Sequence, residues 1–410
     1  MDLTLFFDHR FVMTEDGEVT SLKCYNLDFF RQRYLQTFDH VRLVTRLQQP
    51  GRSTSPPCEV QWSDRVTLAS LGDWRSTADW FRRTWTISRT LRREIRAAES
   101  MIFISPGWLA SLGSYHLGSR PFGLEIVGDP WANTQPGALR HPLRPFFQVW
   151  MPTVLRRLSR KSVATSYVSD SALQRRYPPG PHTAAFACSD VVLPDEAFAS
   201  VREEFGRGPG GRIQLIHVGS MANGVKRHNV LIDAVSRLST EGLDVGLTLV
   251  GDGMLRETLE AQVARVGIAD RVEFLGQLSS GSAVREALDA ADVFVMPSLT
   301  EGLPRAMVEA MARGLPCLGS HVGGIPDLLQ DSELFTVNSV DDCAQSIRQL
   351  VMDQPRLRQL SKRNLTRASD FRTDVLDARR KQFFEAVRDR SAVTKPFPLP
   401  EERSRSRSAA

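Results

Sequence analysis

Residues 292–314 read "DVFVMPSLTEGLPRAMVEAMARG". The run Val293–Met296 is apolar at every position, as a strand buried on both faces of a parallel sheet must be. After it, Gly302 and Pro304 break the chain, and Met307, Val308 and Met311 then recur at helical spacing. Pro304 suits a first helical position, where a missing N–H leaves nothing unpaired. Gly314 suits the end of that helix, and Pro316 stops it from continuing. The unit is therefore a strand, a glycine turn and a helix.

The same unit repeats around it. "RIQLIHVGS" (212–220), "VGLTLVGDG" (245–253) and "RVEFLGQL" (271–278) are apolar strands ending in turns. "NVLIDAVSRLS" (229–239), "MLRETLEAQVARVG" (254–267) and "SAVREALDAA" (282–291) carry helical spacing, and "LPCLGSHVGG" (315–324) supplies a fifth strand. Strand and helix in alternation, joined by short turns, predict a doubly wound α/β domain over about 205–365. "GRGPGG" (206–211) marks the break before it.

Residues 1–200 form a less legible first domain, with strands expected in 40–47, 100–105, 122–131 and 161–170 and a short helix in "SALQRRY" (171–177). A helix over 366–390 is expected to pack back on this first domain. The Ser-rich, apolar-poor end, 391–410, is expected to be disordered.

In such sheets ligands sit beyond the carboxyl ends of the strands. That rule selects Gly219, Ser220 and Lys226 after the first strand, the segment around Leu278 after the third, and Glu301, Gly302 and Leu303 after the fourth. Free amides near Gly302 and Leu303, at a helix start, make an anion site suited to a diphosphate. Glu301, ahead of the helix, and Glu309, one to two turns in, are two acceptors for a ligand with two sets of hydroxyls, such as a sugar and a ribose. Lys226 can place positive charge on phosphates between them. Taken singly, each is equally a surface carboxylate or a solvated loop charge.

Composition sets outer bounds. At 410 residues, 41% apolar and 24% charged, the chain has the profile of a soluble globular protein of two domains. Neither a signal peptide nor a spanning helix is expected. Five cysteines without a C-x-x-C argue against a disulfide framework or a zinc site and for a reducing compartment, hence the cytoplasm. Net charge is +5, concentrated in the first half: seven arginines lie in 75–96, and eight Lys or Arg in 140–176. This is either a solvated face or a surface for anionic lipid headgroups or a diphosphate-bearing acceptor. "WFRRTWTISRTLRREI" (80–95) fits an interfacial helix and a core-packed surface helix equally. Nucleic acid is not an expected partner, since no binding motif accompanies the charge.

The order and spacing of "HVGSMANGVKRHNVLIDA" (217–234), "LVGDG", "VEFLGQL", "ADVFVMPS", "EGLPRAMVEAMARGLP" and "VGGIPDLL" resemble the C-terminal domain of family 4 glycosyltransferases over about 150 residues. The resemblance implies a GT-B fold, with two Rossmann-like doubly wound domains facing across a cleft. It implies retaining transfer of a sugar from a nucleotide-diphosphate donor, a UDP-sugar or GDP-sugar, to a hydroxyl acceptor. No metal or other cofactor is expected, and the chain has no D-x-D. By resemblance Glu301 meets the donor sugar and Glu309 the ribose, Lys226 binds phosphate, the Gly302 and Leu303 amides hold sugar and diphosphate, and backbone near Leu278 meets the base. The acceptor is expected to be a saccharide or lipid-linked, in bacterial cell-surface polysaccharide or glycolipid synthesis, with peripheral membrane contact through the basic first half.

Three positions depart from the pattern. Ser220 stands where an arginine often follows the glycine. "FFDHRF" (6–11) lacks a glycine-rich loop. "IVGDPW" (126–131) lacks a histidine, leaving Asp129 as its polar group and third candidate catalytic residue beside Glu301 and Lys226. A catalytically impaired sugar-nucleotide-binding protein is the alternative. A GT-B epimerase would need a further carboxylate–histidine set, and a Rossmann oxidoreductase an early G-x-G-x-x-G.

Overall fold

The computed structural model describes residues 1–13, 19–21, 27–48, 58–59, 64–74, 77–136, 138–139, 141–206, 211–279 and 281–393. Most of "GRGPGG" and of the expected disordered end therefore lie outside the described residues. The strands are β1 (Leu3–Met13), β2 (Val19–Ser21), β3 (Val41–Gln48), β4 (Cys58–Glu59), β5 (Val66–Ser70), β6 (Ser100–Ser105), β7 (Gly123–Ile126), β8 (Ala164–Tyr167) and β9 (Ala184–Ala187). Then follow β10 (Ile213–Val218), β11 (Val245–Val250), β12 (Val272–Gly276), β13 (Val293–Met296), β14 (Cys317–Ser320) and β15 (Leu334–Phe335). The helices are α1 (Leu27–Arg33), α2 (Thr77–Ala97), α3 (Trp108–Gly113), α4 (Pro130–Asn133), α5 (Arg144–Lys161), α6 (Ala172–Arg176), α7 (His228–Thr240), α8 (Arg256–Arg265), α9 (Ser282–Asp289), α10 (Arg305–Ala312), α11 (Val340–Val351), α12 (Gln354–Ala368) and α13 (Thr373–Val393).

Two doubly wound sheets result, as the resemblance implies. The second runs β12-β11-β10-β13-β14-β15 and is parallel throughout. β15 is a strand beyond the five expected; it is two residues long, too short to leave a periodic signal. The chain moves outward from β10 to β12, then returns to the other side of β10 as β13. That reversal is the switch point where such sheets open a crevice. The loops that leave it, after β10 and after β13, are the two that carry Lys226 and Glu301.

The first sheet has a parallel body ordered β5-β3-β1-β6-β7-β8-β9, with β2 and β4 added antiparallel beyond the far half of β1. β1 is missed by periodicity because Asp8, His9 and Arg10 interrupt its apolar run. Its pairing with β3 slips there, between Phe6 and Arg10, and resumes at Arg10–Val12. A second switch point lies between β1 and β6.

Each sheet is covered on both faces. Leu91 and Ile95 of α2, Leu109 of α3 and Leu155 of α5 bury one face of the first sheet. Its other face takes Phe30 of α1 together with Phe383, Phe384 and Val387 of α13. Helix α2 settles one of the two readings of 80–95: Trp80, Ile87, Leu91 and Ile95 are buried in the core, so it is a packed surface helix. It still exposes Phe81 and Trp85.

The chain crosses between domains twice, before β10 and again between α12 and α13. The crossings are stitched together: Thr373 N–H donates to the Leu193 carbonyl at 3.1 Å, and Arg372 pairs with both Asp195 and Asp374. Among the described residues no helix is long and apolar enough to cross a membrane.

Candidate functional site

The β10 loop is held from below. Gly219 N–H donates to Val250 O, and Met221 N–H to Asp252 O, so the loop rests on the β11 turn. His228, the first residue of α7, has Nε2 3.3 Å from Gly219 O, and its ring meets His217 edge-on at 4.8 Å. His217 Nδ1 lies 2.8 Å from Val295 O, tying β10 to β13. Burial pushes the His228 imidazole down to about 4, and His217 well below the usual histidine range. Both rings are therefore neutral props at neutral pH. Asn223 caps a short turn by accepting from Val225 N–H, and this turn projects Lys226. The Val225 carbonyl accepts from Leu299 N–H at 2.8 Å, which brings the β13 loop alongside.

Lys226 Nζ then donates to Glu301 Oε1 at 2.6 Å. The pair is half-sheltered, with the lysine side chain 25% and the glutamate 10% exposed. Glu301 is fixed from the other side by the "VGG" loop. Gly323, at φ +54°, packs so tightly that a Cβ there would strike the Glu301 carbonyl, and one at Gly324 would strike the Gly302 carbonyl. Helix α10 begins one residue later than expected: Arg305 is its first residue and Pro304 its N-cap. Its end is as read. Gly314, at φ +70°, closes a Schellman motif, with Leu315 N–H bonded to Ala310 O and Gly314 N–H to Met311 O. The N–H groups of Gly302 and Leu303 make no hydrogen bond among the described residues.

Glu309 sits in the second turn of α10, partly buried. Among the described residues its carboxylate makes no hydrogen bond. Burial holds its pKa above the usual carboxyl value, with Arg305 opposing. Ser220 is exposed and accepts from Ala222 N–H at 3.2 Å. The Leu278 carbonyl accepts from Gln277 Nε2 at 3.2 Å.

Across from this rim stands the first domain. Gly302 faces Val168 and the Val127 carbonyl, which a Cβ at Gly302 would meet at 3.4 and 3.5 Å. The cleft between them has a volume of about 580 Å³. Asp129 lines it, and its carboxylate accepts three hydrogen bonds. Oδ1 accepts from Tyr177 OH at 2.5 Å and Trp131 N–H at 3.0 Å, and Oδ2 from Arg176 at 2.7 Å. Buried and triply bonded, Asp129 is held firmly in place at the cleft wall. Its geometry suits capping α4 and holding Arg176.

Four cleft residues escaped the sequence reading as a group: Arg156, Arg160, Arg175 and Arg176. The charge run over 140–176 was their only signal. A second missed residue is Asp327, in "IPD" of the second domain. It accepts from Ser171 N–H at 2.9 Å, Ala172 N–H at 3.0 Å and the Ser171 hydroxyl, capping α6 of the first domain. Arg367 of α12 adds an ion pair to Asp170 of the first domain. The cleft is thus clasped at one edge. Among the described residues no three His, Cys, Asp or Glu side chains gather as a metal site.

Known proteins share this architecture and sequence. Sucrose-phosphate synthase from Thermosynechococcus elongatus superposes with a TM-score of 0.70 at 18% identity, over 96% of this chain and 100% of that one. Anabaena HepE, solved with UDP and glucose, superposes at 0.58 and 15% identity, over 96% and 98%. In sequence, protein CapJ of Staphylococcus aureus is 23% identical over 328 residues, which is 78% of this chain and 80% of that protein. Residues 212–353 match the family of group 1 glycosyl transferases. That match covers the domain holding Lys226, Glu301 and Glu309, and the chain is thus similar to the group 1 glycosyltransferases over its second domain and shares the GT-B fold over nearly its whole length.

Proposed function

We propose that this glycosyltransferase moves a glycosyl group, with retention, from a nucleotide-diphosphate sugar to a hydroxyl of a saccharide or lipid-linked acceptor. Its setting is the synthesis of bacterial surface polysaccharide or glycolipid. The carrying observation is the Lys226–Glu301 pair at the switch point, beside the unbonded amides of Gly302 and Leu303. An ammonium and two free amides form a site for two linked phosphates. Glu301, poised beside the lysine, meets the sugar hydroxyls. Glu309, with no hydrogen bond of its own, takes the ribose. Backbone near Gly219, Ser220 and Leu278 completes the donor wall. Support for a UDP-type donor comes from HepE, which binds UDP and glucose.

In the reaction the bond from the anomeric carbon to the β-phosphate oxygen breaks. Lys226 and the amides take up the charge that grows on the diphosphate. The acceptor oxygen forms its bond on the same face, and its proton passes to the departing phosphate. Charge neutralisation by a lysine and amides is the part a metal plays elsewhere, so activity without added divalent ions is expected. Asp129 acts by holding Arg176 at the cleft.

A thermal-shift screen against UDP, GDP and their sugars tests this: a ligand at 100 times its Kd adds about 2.7 kcal/mol of stability. If no nucleotide raises the melting temperature, the reading fails. Binding without transfer or hydrolysis across an acceptor panel would leave the impaired-binder alternative.

The reading extends to peripheral contact with an anionic bilayer on the cytoplasmic side. Phe81 and Trp85 of α2 and Phe146 and Val149 of α5 are exposed on the arginine-rich domain. Co-sedimentation with phosphatidylglycerol vesicles but not phosphatidylcholine vesicles, lost in F81S/W85S, is the expected result. Equal sedimentation of the variant would remove this element.

A further inference from the structure

Helix α10 begins with a charge set against its own dipole. Arg305 is its first residue, and no acidic side chain lies in that turn. The first turn of a helix is its positive end, so a cation there costs stability unless an anion is held beside it. Arg305 is exposed, and among the described residues its guanidinium makes no hydrogen bond or ion pair. Burial raises the Glu309 carboxyl, and the charge of Arg305, four residues earlier, draws it back. Residues four apart on a helix share a face and stand about 5–6 Å from each other. Arg305 and Glu309 therefore project to one side of α10, while Met307 and Met311 bury the opposite side. Side chains on a helix lean toward its N-terminus, which carries Arg305 toward the unbonded amides of Gly302 and Leu303. Lys226, the cation on the neighbouring loop, is already neutralised by Glu301. A diphosphate resting on these amides is thus short of positive charge on the side where Arg305 stands.

We propose that Arg305 binds the α-phosphate of the donor, leaving Lys226 to the β-phosphate, the one bonded to the sugar. The proposal rests on the donor reading above and divides its phosphate site between two cations. The α-phosphate is joined to the ribose through the 5′ methylene group, so a ribose held by Glu309 keeps that phosphate within about a turn of α10. The residue one turn toward the helix start, on the same face, is Arg305. A guanidinium meets two phosphate oxygens at once, and both terminal nitrogens of Arg305 are uncommitted among the described residues. The charge on the α-phosphate is the same before and after the sugar leaves. Arg305 therefore grips ground state and transition state alike, whereas Lys226 meets charge that grows only as the bond breaks.

Calorimetric titration of the wild type, R305Q and K226A with UMP and UDP tests the division (GMP and GDP if the wild type takes only guanine nucleotides). R305Q should weaken UMP and UDP by a similar factor, roughly tenfold. K226A should weaken UDP and leave UMP near wild type. Steady-state transfer or donor hydrolysis reads the second half of the proposal: R305Q should raise KM with kcat little changed, while K226A lowers kcat. R305K, which keeps the charge without the fork, should recover part of the lost affinity. Without ligand R305Q should melt at or above wild type, because the charge facing the dipole is gone; weakened binding is then not a damaged fold. The proposal is overturned if R305Q binds both nucleotides as wild type does, if it loses affinity for UDP but not for UMP, or if it melts lower and loses kcat together with affinity. A wild type that binds no nucleotide overturns the donor reading and this proposal together, whereas wild-type affinities in R305Q overturn this proposal alone.

Discussion

Replacing Lys226 by alanine separates the donor reading from a purely structural one. The lysine donates to Glu301 at 2.6 Å and keeps a quarter of its side-chain surface exposed. Its contact with a bound phosphate is a charge-assisted hydrogen bond, for which about 1.5–3 kcal/mol is typical. The residual exposure pulls the expected value toward the lower end. K226A should therefore weaken UDP binding roughly ten- to hundredfold. It also leaves the Glu301 carboxylate unpartnered and facing the incoming diphosphate, so part of the loss is repulsion. E301Q isolates that part: it removes the charge while keeping the shape. Since Glu301 is assigned to the sugar, E301Q should leave UDP affinity near wild type and lower the transfer rate. The double variant K226A/E301Q should bind UDP better than K226A alone. Calorimetry of the four proteins gives the cycle directly. A K226A protein that keeps its melting temperature and binds UDP within about twofold of wild type would refute the assignment of Lys226 to phosphate.

Four further expectations follow from the same geometry. Glu309 has its pKa raised by burial, so its ionised form is disfavoured in the fold. Its stability contribution is present below the ordinary carboxyl pKa and lost as pH rises past the raised one. E309Q should accordingly melt higher than wild type at pH 7 but not at pH 3.5, while binding UDP more weakly; unchanged UDP affinity would count against the ribose contact. His228 shifts the other way, from 6.5 to about 4, so its contribution is intact above pH 6.5 and lost as pH falls toward 4. Melting temperature should fall less steeply across that window in H228Q than in wild type. G323A must place a Cβ at φ +54° against the Glu301 carbonyl. It should cost about 1–2 kcal/mol from the backbone term alone, with a larger loss of activity than of stability. D327A removes the cap on α6 and should cost about 0.5–2 kcal/mol in urea unfolding. It should also increase the radius of gyration in solution scattering, and an unchanged radius would deny Asp327 its part in holding the domains together.

The two halves of the molecule differ in how much of them could be read from residues alone. In β13 the apolar run is unbroken, in β10 and β11 it is broken only by Gln214, His217, Gly246 and Thr248, and each strand runs into a turn with glycine or serine. Element type and the position of Lys226 and Glu301 relative to the strand ends follow at once. In β1 the polar triplet Asp8-His9-Arg10 sits inside the strand, and the reason is tertiary. Asp8 accepts from Trp108 N–H at 2.7 Å and pairs with Arg46 at 3.1 Å, partners 100 and 38 positions away. The role of Asp129 was hidden in the same way. Nothing local to "IVGDPW" reveals that Arg176 and Tyr177, 47 and 48 residues on, bond its oxygens. The arginine wall is assembled from two helices that only the fold aligns, so the sequence shows a charge excess there and no site.

The paired crossings between the domains bear on how the cleft can move. A single linker would let the two halves swing and twist about any axis through one point. Here two strands of chain pass side by side and are bonded to each other between Thr373 and Leu193. Twisting would have to shear that bond, whereas folding about the line joining the crossings would not. Gape and shut is then the motion that the crossings oppose least, with the Asp327 clasp as its catch. A substrate delivered on one leaf can meet the reagent held on the other in a single reproducible alignment.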